Sequence, residues 1–440
     1  MSKYTRRDAL KAIGAAAAST AAAGILAGEA QAAKALRFEP EKDAQLRVLR
    51  WKRFVAGDEE QWMKNTEAFT RATGVPVRVD SENFEDIRPK AAVAANVGSG
   101  PDIVLGWYDD PHQYADKLIE MDDLAVYLGE KYGGWYDVAK RYCQRDGRWI
   151  AIGLGFLGGC IVYRQSMVRA AGFDKVPNDV DGFLRLCQAL KKKGTPCGFA
   201  LGNAVGDANA WTYWALWGHG GAVVDRENRV AIDSKGTRAA LEFAKALYQT
   251  MIEGTLSWLD PNNNKAFLAG DISLTLNGIS IYYAAKTSND PAVRKIAEDI
   301  GHVNMPIGPA GHPTELNPFT PAFVFKYTKY PNAAKEYLRF MLEKEQYEAW
   351  QNASLGYVQQ PLKAYARNPM WTRDPKVTPY RNIPELTLED GYPGKLGQPS
   401  AATMADYVVV NMFAEAASGA SSIDAAIKRA ESRARRYYRS

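Results

Sequence analysis

Apolar and polar positions alternate along Leu46-Arg47-Val48-Leu49-Arg50-Trp51, the two-residue period of a strand with one buried face. From Glu59 to Ala72 the period lengthens. Trp62, Thr66, Phe69 and Ala72 recur every three or four residues and predict a helix that Gly74 stops. Val75–Val79 resumes an extended chain. A helix from Phe84 to Ala95 closes at Gly98-Ser99-Gly100, and Asp102–Leu105 forms a third strand. This strand–helix order predicts a mostly parallel sheet covered by helices. Ligand groups gather beyond the carboxyl ends of such strands. That rule singles out Trp51-Lys52-Arg53 and Trp107-Tyr108-Asp109-Asp110.

A second α/β block follows. Its expected helices are Val168–Ala171, Val180–Lys193 and Thr237–Ile252, with strand-like segments at Gly198–Leu201 and Ile272–Leu276. Asn304–Pro309 reads as a return to the first block, and Pro331–Leu342 as a helix with Ala334, Tyr337, Leu338 and Met341 on one face. Residues 363–399 read as loops with short helices. Helices at Met404–Ala417 and Ile423–Tyr438 end the chain. Between the blocks, Gly153-x-Gly155-x-x-Gly158 matches the dinucleotide fingerprint formally, but that motif needs a helix opening at its last glycine. Here Gly159–Tyr163 continues as a second extended segment, so the glycines are expected to free the backbone at a crossing between lobes.

The N-terminus changes the picture most. Arg6-Arg7 precede an alanine-rich apolar run from Ala12 to Leu26, and Ala30-Gln31-Ala32 supplies a small-x-small cleavage pattern. This predicts a twin-arginine export leader over residues 1–32, with an ordinary secretory leader as the alternative. The mature chain would begin near Ala33 and work in the periplasm. Hydrophobic content of 46% and charged content of 24% fit a chain that buries a sizeable core. A net charge of +5 is too small to imply nucleic acid. The four cysteines show no CxxC spacing. A Cys187–Cys197 bridge is conceivable, but buried free thiols are the expectation. The four histidines are scattered, and neither a metal nor another cofactor is expected.

Several blocks together resemble one family. Gly100-Pro101-Asp102-Ile103-Val104 after Ala91–Ala95, Tyr163–Gly172, and Val176-Pro177-Asn178 with Phe183 and Ala189–Lys192 are three of them. Phe267–Asp271 through Leu276-Asn277-Gly278, and Tyr330–Leu338, are the others. In that order they resemble the extracellular solute-binding proteins of bacterial ABC importers, in particular the sugar-binding class that includes maltose-binding protein. The resemblance implies a two-lobed periplasmic-binding-protein fold of type II, with three interlobe crossings and a ligand in the cleft. The first lobe is expected to span residues 44–155 plus 304–344. The second, mostly helical lobe would span 156–303 plus 345–440. The expected partners are a small solute, most simply a sugar, and a membrane-embedded permease with its ATPase subunits. The protein would work as a monomer and not as an enzyme.

Sugar sites combine aromatic rings on C–H faces with planar polar groups on hydroxyls. The ligand-binding candidates are Trp51, Lys52, Trp107, Tyr108, Asp109, Phe156, Asn209, Trp211, Asn277, Gly278, Tyr357 and Tyr407. The family's hydroxyl-binding aspartate falls on Asp109, while the arginine often beside it is Asp110 here. Lys52 and Arg53 leave room for an anionic sugar derivative. A polyol or polyamine receptor is also conceivable, although only Asp109 and Asp110 are obvious carboxylates for a polyamine. Tyr282-Tyr283 is a formal pair for a ferric ion. A secreted glycosidase would need two flanking carboxylates, and no GxSxG elbow or P-loop is present.

Overall fold

A computed structural model describes residues 36–52 and 54–439. The leader over residues 1–32, its cleavage site near Ala33, and Arg53 lie outside the described residues. The first lobe is built on a five-stranded sheet. Its order across the sheet is Val77–Glu82, Leu46–Trp51, Ile103–Leu105, Phe319–Val324 and Ile152–Phe156. The first three strands run parallel, and Phe319–Val324 runs antiparallel to both its neighbours. The alternation at Leu46–Trp51 places Leu46, Val48 and Trp51 in the core.

The helix Ala56–Thr73 covers this sheet with the expected stripe, and Trp62 and Phe69 pack edge-on against Tyr337. In the same region Asp58 accepts from Arg50, Trp51 and Trp350. The second lobe holds a smaller antiparallel sheet, Leu274–Asn277 beside Cys160–Arg164 beside Ile300–Val303. Around it Phe183, Phe199, Trp211, Trp214, Phe243 and Phe413 interlock. The segment 198–201 forms no strand; isolated bridges at the preceding Cys197 reach Met251 and Leu274, and Leu201 N–H donates to Thr255 O. All four cysteines are free and buried.

Three crossings join the lobes, and their positions correct the expected boundaries. The return anticipated at Asn304–Pro309 comes later, because Trp214 and Val180 bond Pro306 and Ile307 and hold that stretch on the second lobe. The chain crosses at Leu316–Pro318 instead. The helix Lys344–Ala353, expected in the second lobe, packs on Ala56–Thr73 of the first, with Trp350 at Trp62. The last crossing follows Trp371, since Asp374 already bonds Tyr282 and Lys286 of the second lobe.

The crossings are laced together. Gly158 N–H donates to Gln359 Oε1 at 2.7 Å, and Gly159 N–H to Asn317 Oδ1 at 3.0 Å. A Cβ at Gly158 would collide with Ile383 and Asn317, and one at Gly155 (φ +153°) with Gln359 O. The glycines therefore serve close approach, not the free bending expected from the sequence.

Candidate functional site at the lobe interface

The carboxyl ends of the first-lobe strands face the second lobe, and their loops meet it at two adjoining places. At the first, Phe54, Phe84 and Tyr357 face Asp207, Asp260 and Asn277 around a cavity of about 30 Å³. That is about the volume of one water. Anything larger must part the lobes.

Phe54 lies nearly parallel to Tyr357, with centroids 6.2 Å apart, and 5.2 Å from Phe84. Behind them Trp107 stacks on Phe84 at 4.5 Å and leans on Trp51 at 5.3 Å. Trp107 Nε1 donates to Phe84 O at 3.1 Å. The two expected tryptophans thus form a buried backing layer, and Phe84 presents the ring.

Across the cavity, Asp260 accepts from Gly206 N and Asp207 N at the start of the helix Asp207–Gly218, where a carboxylate is electrostatically favoured. Asp207 Oδ2 accepts from Asn263 at 2.5 Å. Burial pushes Asp260 up to about 6. Burial, reinforced by the charge of Asp260, lifts Asp207 well above the carboxylate range. Asn277 and Gly278 end their strand at this cavity, where their carbonyls receive the Tyr380 hydroxyl.

The second place is a buried polar cluster around Asp109. Tyr108 OH donates across the interface to Val205 O at 3.2 Å, a carbonyl that also receives Asn209 Nδ2 at 3.1 Å. Ser400 Oγ donates to Asp109 Oδ2 at 2.6 Å. Asp390 lies within hydrogen-bonding reach of Asp109. Two carboxylates can share a hydrogen bond only when one is protonated, and burial favours this by raising Asp109 to about 6 and Asp390 well above its ordinary value.

Arg88 forms an ion pair with Asp110 at 2.7 Å, and Asp110 also receives Trp107 N at 2.9 Å. Asp110 therefore anchors the loop. Burial opposes the charge on Arg88, but Asp110, Tyr407 and Asp109 keep its guanidinium cationic. Arg88 Nη1 and Nη2, Tyr142 OH and Asn209 Oδ1 are buried without a partner. A buried unpaired polar group costs about 1–3 kcal/mol, so donors and acceptors together await a ligand with both, such as a polyol or sugar. Tyr108 (φ +47°) and Tyr407 (φ +51°) hold left-handed backbone at this interface. Such strain in a non-glycine residue collects at functional sites.

The structure brings together Trp107, Tyr108, Asp109, Asn209, Asn277, Gly278 and Tyr357 of the expected residues, with Trp51 behind them. Tyr407 lies beside them, packed on Ala200, Ala204 and Ala208. Lys52 sits exposed on the rim, its N–H bonded to Glu82 O at 2.6 Å. Two candidates point elsewhere. Trp211 donates to Ala200 O at 2.6 Å and packs against Phe199 and Phe413 inside the second lobe. Phe156 packs at a tilt against Phe319 inside the first.

The sequence reading missed Phe54, Phe84, Arg88, Asp207, Asp260, Asp390 and Ser400. The strand-tip rule could have found Phe84 and Arg88, which follow Val77–Glu82. Asp260 and Asp390 carry no local signal, because their neighbours lie far away in the chain.

Comparison with known proteins bears on the family and the fold. A family model described as bacterial extracellular solute-binding protein matches residues 64–379. A search of curated proteins finds no match. Among solved structures, the chain is similar to the GacH receptor of Streptomyces glaucescens, solved unliganded and with acarbose, at TM-score 0.74 and 18% identity. That match covers 90% of this chain and 98% of the other. Maltose-bound MalE3 of T. maritima gives TM-score 0.76 at 17% identity, covering 89% and 99%. A sugar transporter from Arthrobacter chlorophenolicus with bound laminaribiose gives 0.75 at 15%, again covering 89% and 99%. At such identities the likeness concerns the two-lobed fold.

Proposed function

The chain belongs to the bacterial extracellular solute-binding proteins, and from that premise we propose that it captures a carbohydrate between its lobes by hinge closure and delivers it to an ABC importer. The observation that carries this reading is the interface itself. Aromatic rings (Phe54, Phe84, Tyr357) line the cavity between the lobes, and a separate buried cluster holds unpaired donors and acceptors (Arg88, Tyr142, Asn209), which suits a ligand with apolar ring faces and many hydroxyls. The similar structures solved with acarbose, maltose and laminaribiose support the same ligand class.

The lobes open along the bonds that join them, Tyr108 to Val205, Ser400 to Asp109 and Gly57 N–H to Tyr283 OH, while the Asn317 and Gln359 lacing serves as the hinge. The protein works outside the cytoplasm after removal of a twin-arginine leader, as a monomer. No helix among the described residues is long and apolar enough to cross a membrane. Delivery is to a membrane-embedded permease and its ATPase subunits.

A thermal-shift screen across neutral sugars, polyols, uronic acids and polyamines tests the ligand class. A ligand at 100 times its Kd stabilises by about 2.7 kcal/mol through mass action. A saccharide is expected to raise the melting point; a rise with non-sugars alone contradicts the reading.

A further inference from the structure

Resting on the carbohydrate reading, we propose that Arg88 sets the specificity of the cleft: the free edge of its guanidinium holds two neighbouring hydroxyl oxygens of a neutral saccharide, and Asn209 Oδ1 accepts a hydroxyl proton from the same ligand.

Arg88 stands in the first turn of the helix Ile87–Val97, just beyond the strand Val77–Glu82. Its Nε donates to Asp110 Oδ1 at 2.7 Å, and the other Asp110 oxygen receives Trp107 N at 2.9 Å. The ion pair therefore uses one side of the guanidinium only. Nη1 and Nη2 are sealed from solvent and donate to nothing. Tyr407 and Tyr213 of the second lobe lie near enough to interact electrostatically with Arg88, which puts the guanidinium at the lobe interface.

Tyr108 links this group to Asn209. The guanidinium carbon of Arg88 lies 5.9 Å from the centre of the Tyr108 ring. The Tyr108 hydroxyl donates to Val205 O, and Asn209 Nδ2 donates to the same carbonyl. That leaves Asn209 Oδ1 unpaired on a residue only 1% exposed. Donors from the first lobe and an acceptor from the second thus sit at opposite ends of one tyrosine.

A hydroxyl serves both, since it has lone pairs to accept with and a proton to give. The planar fork of two Nη groups matches a pair of neighbouring oxygens. A vicinal diol and a carboxylate both present such a pair, and charge decides between them. Asp110 already balances Arg88, and Asp109 is close enough to act on it too. A carboxylate here would be a third negative group around one cation. A neutral sugar therefore takes precedence over the anionic derivative that Lys52 and Arg53 suggested.

Titration calorimetry at neutral pH on the mature chain tests the proposal. The panel comprises glucose, galactose, mannose, maltose, cellobiose and laminaribiose, with the monodeoxy and uronic acid counterparts of each. A neutral sugar is expected to bind about tenfold tighter than its uronic acid. Removing one of the hydroxyls that Arg88 holds should weaken binding about 10- to 150-fold. In Arg88→Gln that loss should vanish, because the fork is gone. Arg88→Lys keeps the charge beside Asp110 without the fork and should not restore it. If Arg88 only held Asp110 in place, its replacement would weaken hydroxyl and deoxy forms alike. The uronic acid and deoxy comparisons use the unchanged protein, so they stand even if the variants fold poorly. Equal or tighter binding of the uronic acid, indifference of the wild type to every deoxy change, or a deoxy loss that persists in folded Arg88→Gln overturns the proposal and leaves the carbohydrate reading intact. No binding across the panel overturns both.

Discussion

Ser400 Oγ donates a 2.6 Å hydrogen bond to Asp109 Oδ2, tying the helix Gln398–Ala405 to the loop beyond the strand Ile103–Leu105. It is a bond between lobes, so its strength enters the closing equilibrium and not the folding of either lobe. Ser400→Ala should weaken closure by about 1–3 kcal/mol, the usual effect of removing a partner from a buried carboxylate. Ligand affinity should drop about 5- to 150-fold. Calorimetry with any saccharide that binds the wild type checks this, with apo melting as the control for folding.

The pair Asp109–Asp390 predicts a pH effect. Both folded-state values lie above those of the unfolded chain, so the folded protein keeps protons that the unfolded chain releases. Stability contributed this way is present at acid pH and is lost as pH rises through the folded value, about 6 for Asp109. The surrounding charged and titratable groups include Arg88, Asp110, Glu389, Tyr108, Tyr142, Tyr213 and Tyr438. All of them remain in Asp390→Asn. Between pH 5 and 8 the wild type should lose about 1–3 kcal/mol relative to this variant, at about 1.4 kcal/mol per pKa unit. Parallel melting curves against pH would contradict the assignment.

Phe84 and Trp211 should separate binding from packing. Phe84→Ala removes a ring that faces the cavity and should lower affinity with a modest change in apo stability. Trp211 is sealed inside the second lobe, so Trp211→Ala should cost about 3–5 kcal/mol of stability. The affinity of the surviving folded fraction should then match the wild type. Melting curves and calorimetry on both variants resolve the two effects.

Gly158 tests the hinge. A methyl group there meets Ile383 and Asn317, and Gly158→Ala should destabilise the chain by about 1–3 kcal/mol, the usual range for overpacking. Denaturant unfolding measures it.

Which parts of this site could be read from the sequence follows from where each signal resides. The period of Leu46–Trp51 and the helical stripe Trp62–Phe69 are local, and the strand tips they define led to Trp107, Tyr108 and Asp109. Trp211 was misplaced because a tryptophan near a helix start satisfies the same pattern facing in or out. Phe199 and Phe413, distant in sequence, decide its orientation. The helix expected at Met404–Ala417 is interrupted at Tyr407, whose left-handed backbone no propensity foretells. Asp260 is invisible for the same reason: its role at the cleft comes from the amides of Gly206 and Asp207, which only folding brings near.

The central claim is that one ligand is held by closure of these two lobes. Small-angle scattering of the mature chain, with and without a saturating saccharide that raises its melting point, tests it most directly. The account predicts a larger radius of gyration without ligand than the closed structure gives, and contraction to the closed value on binding. Identical scattering curves with and without bound saccharide would contradict it.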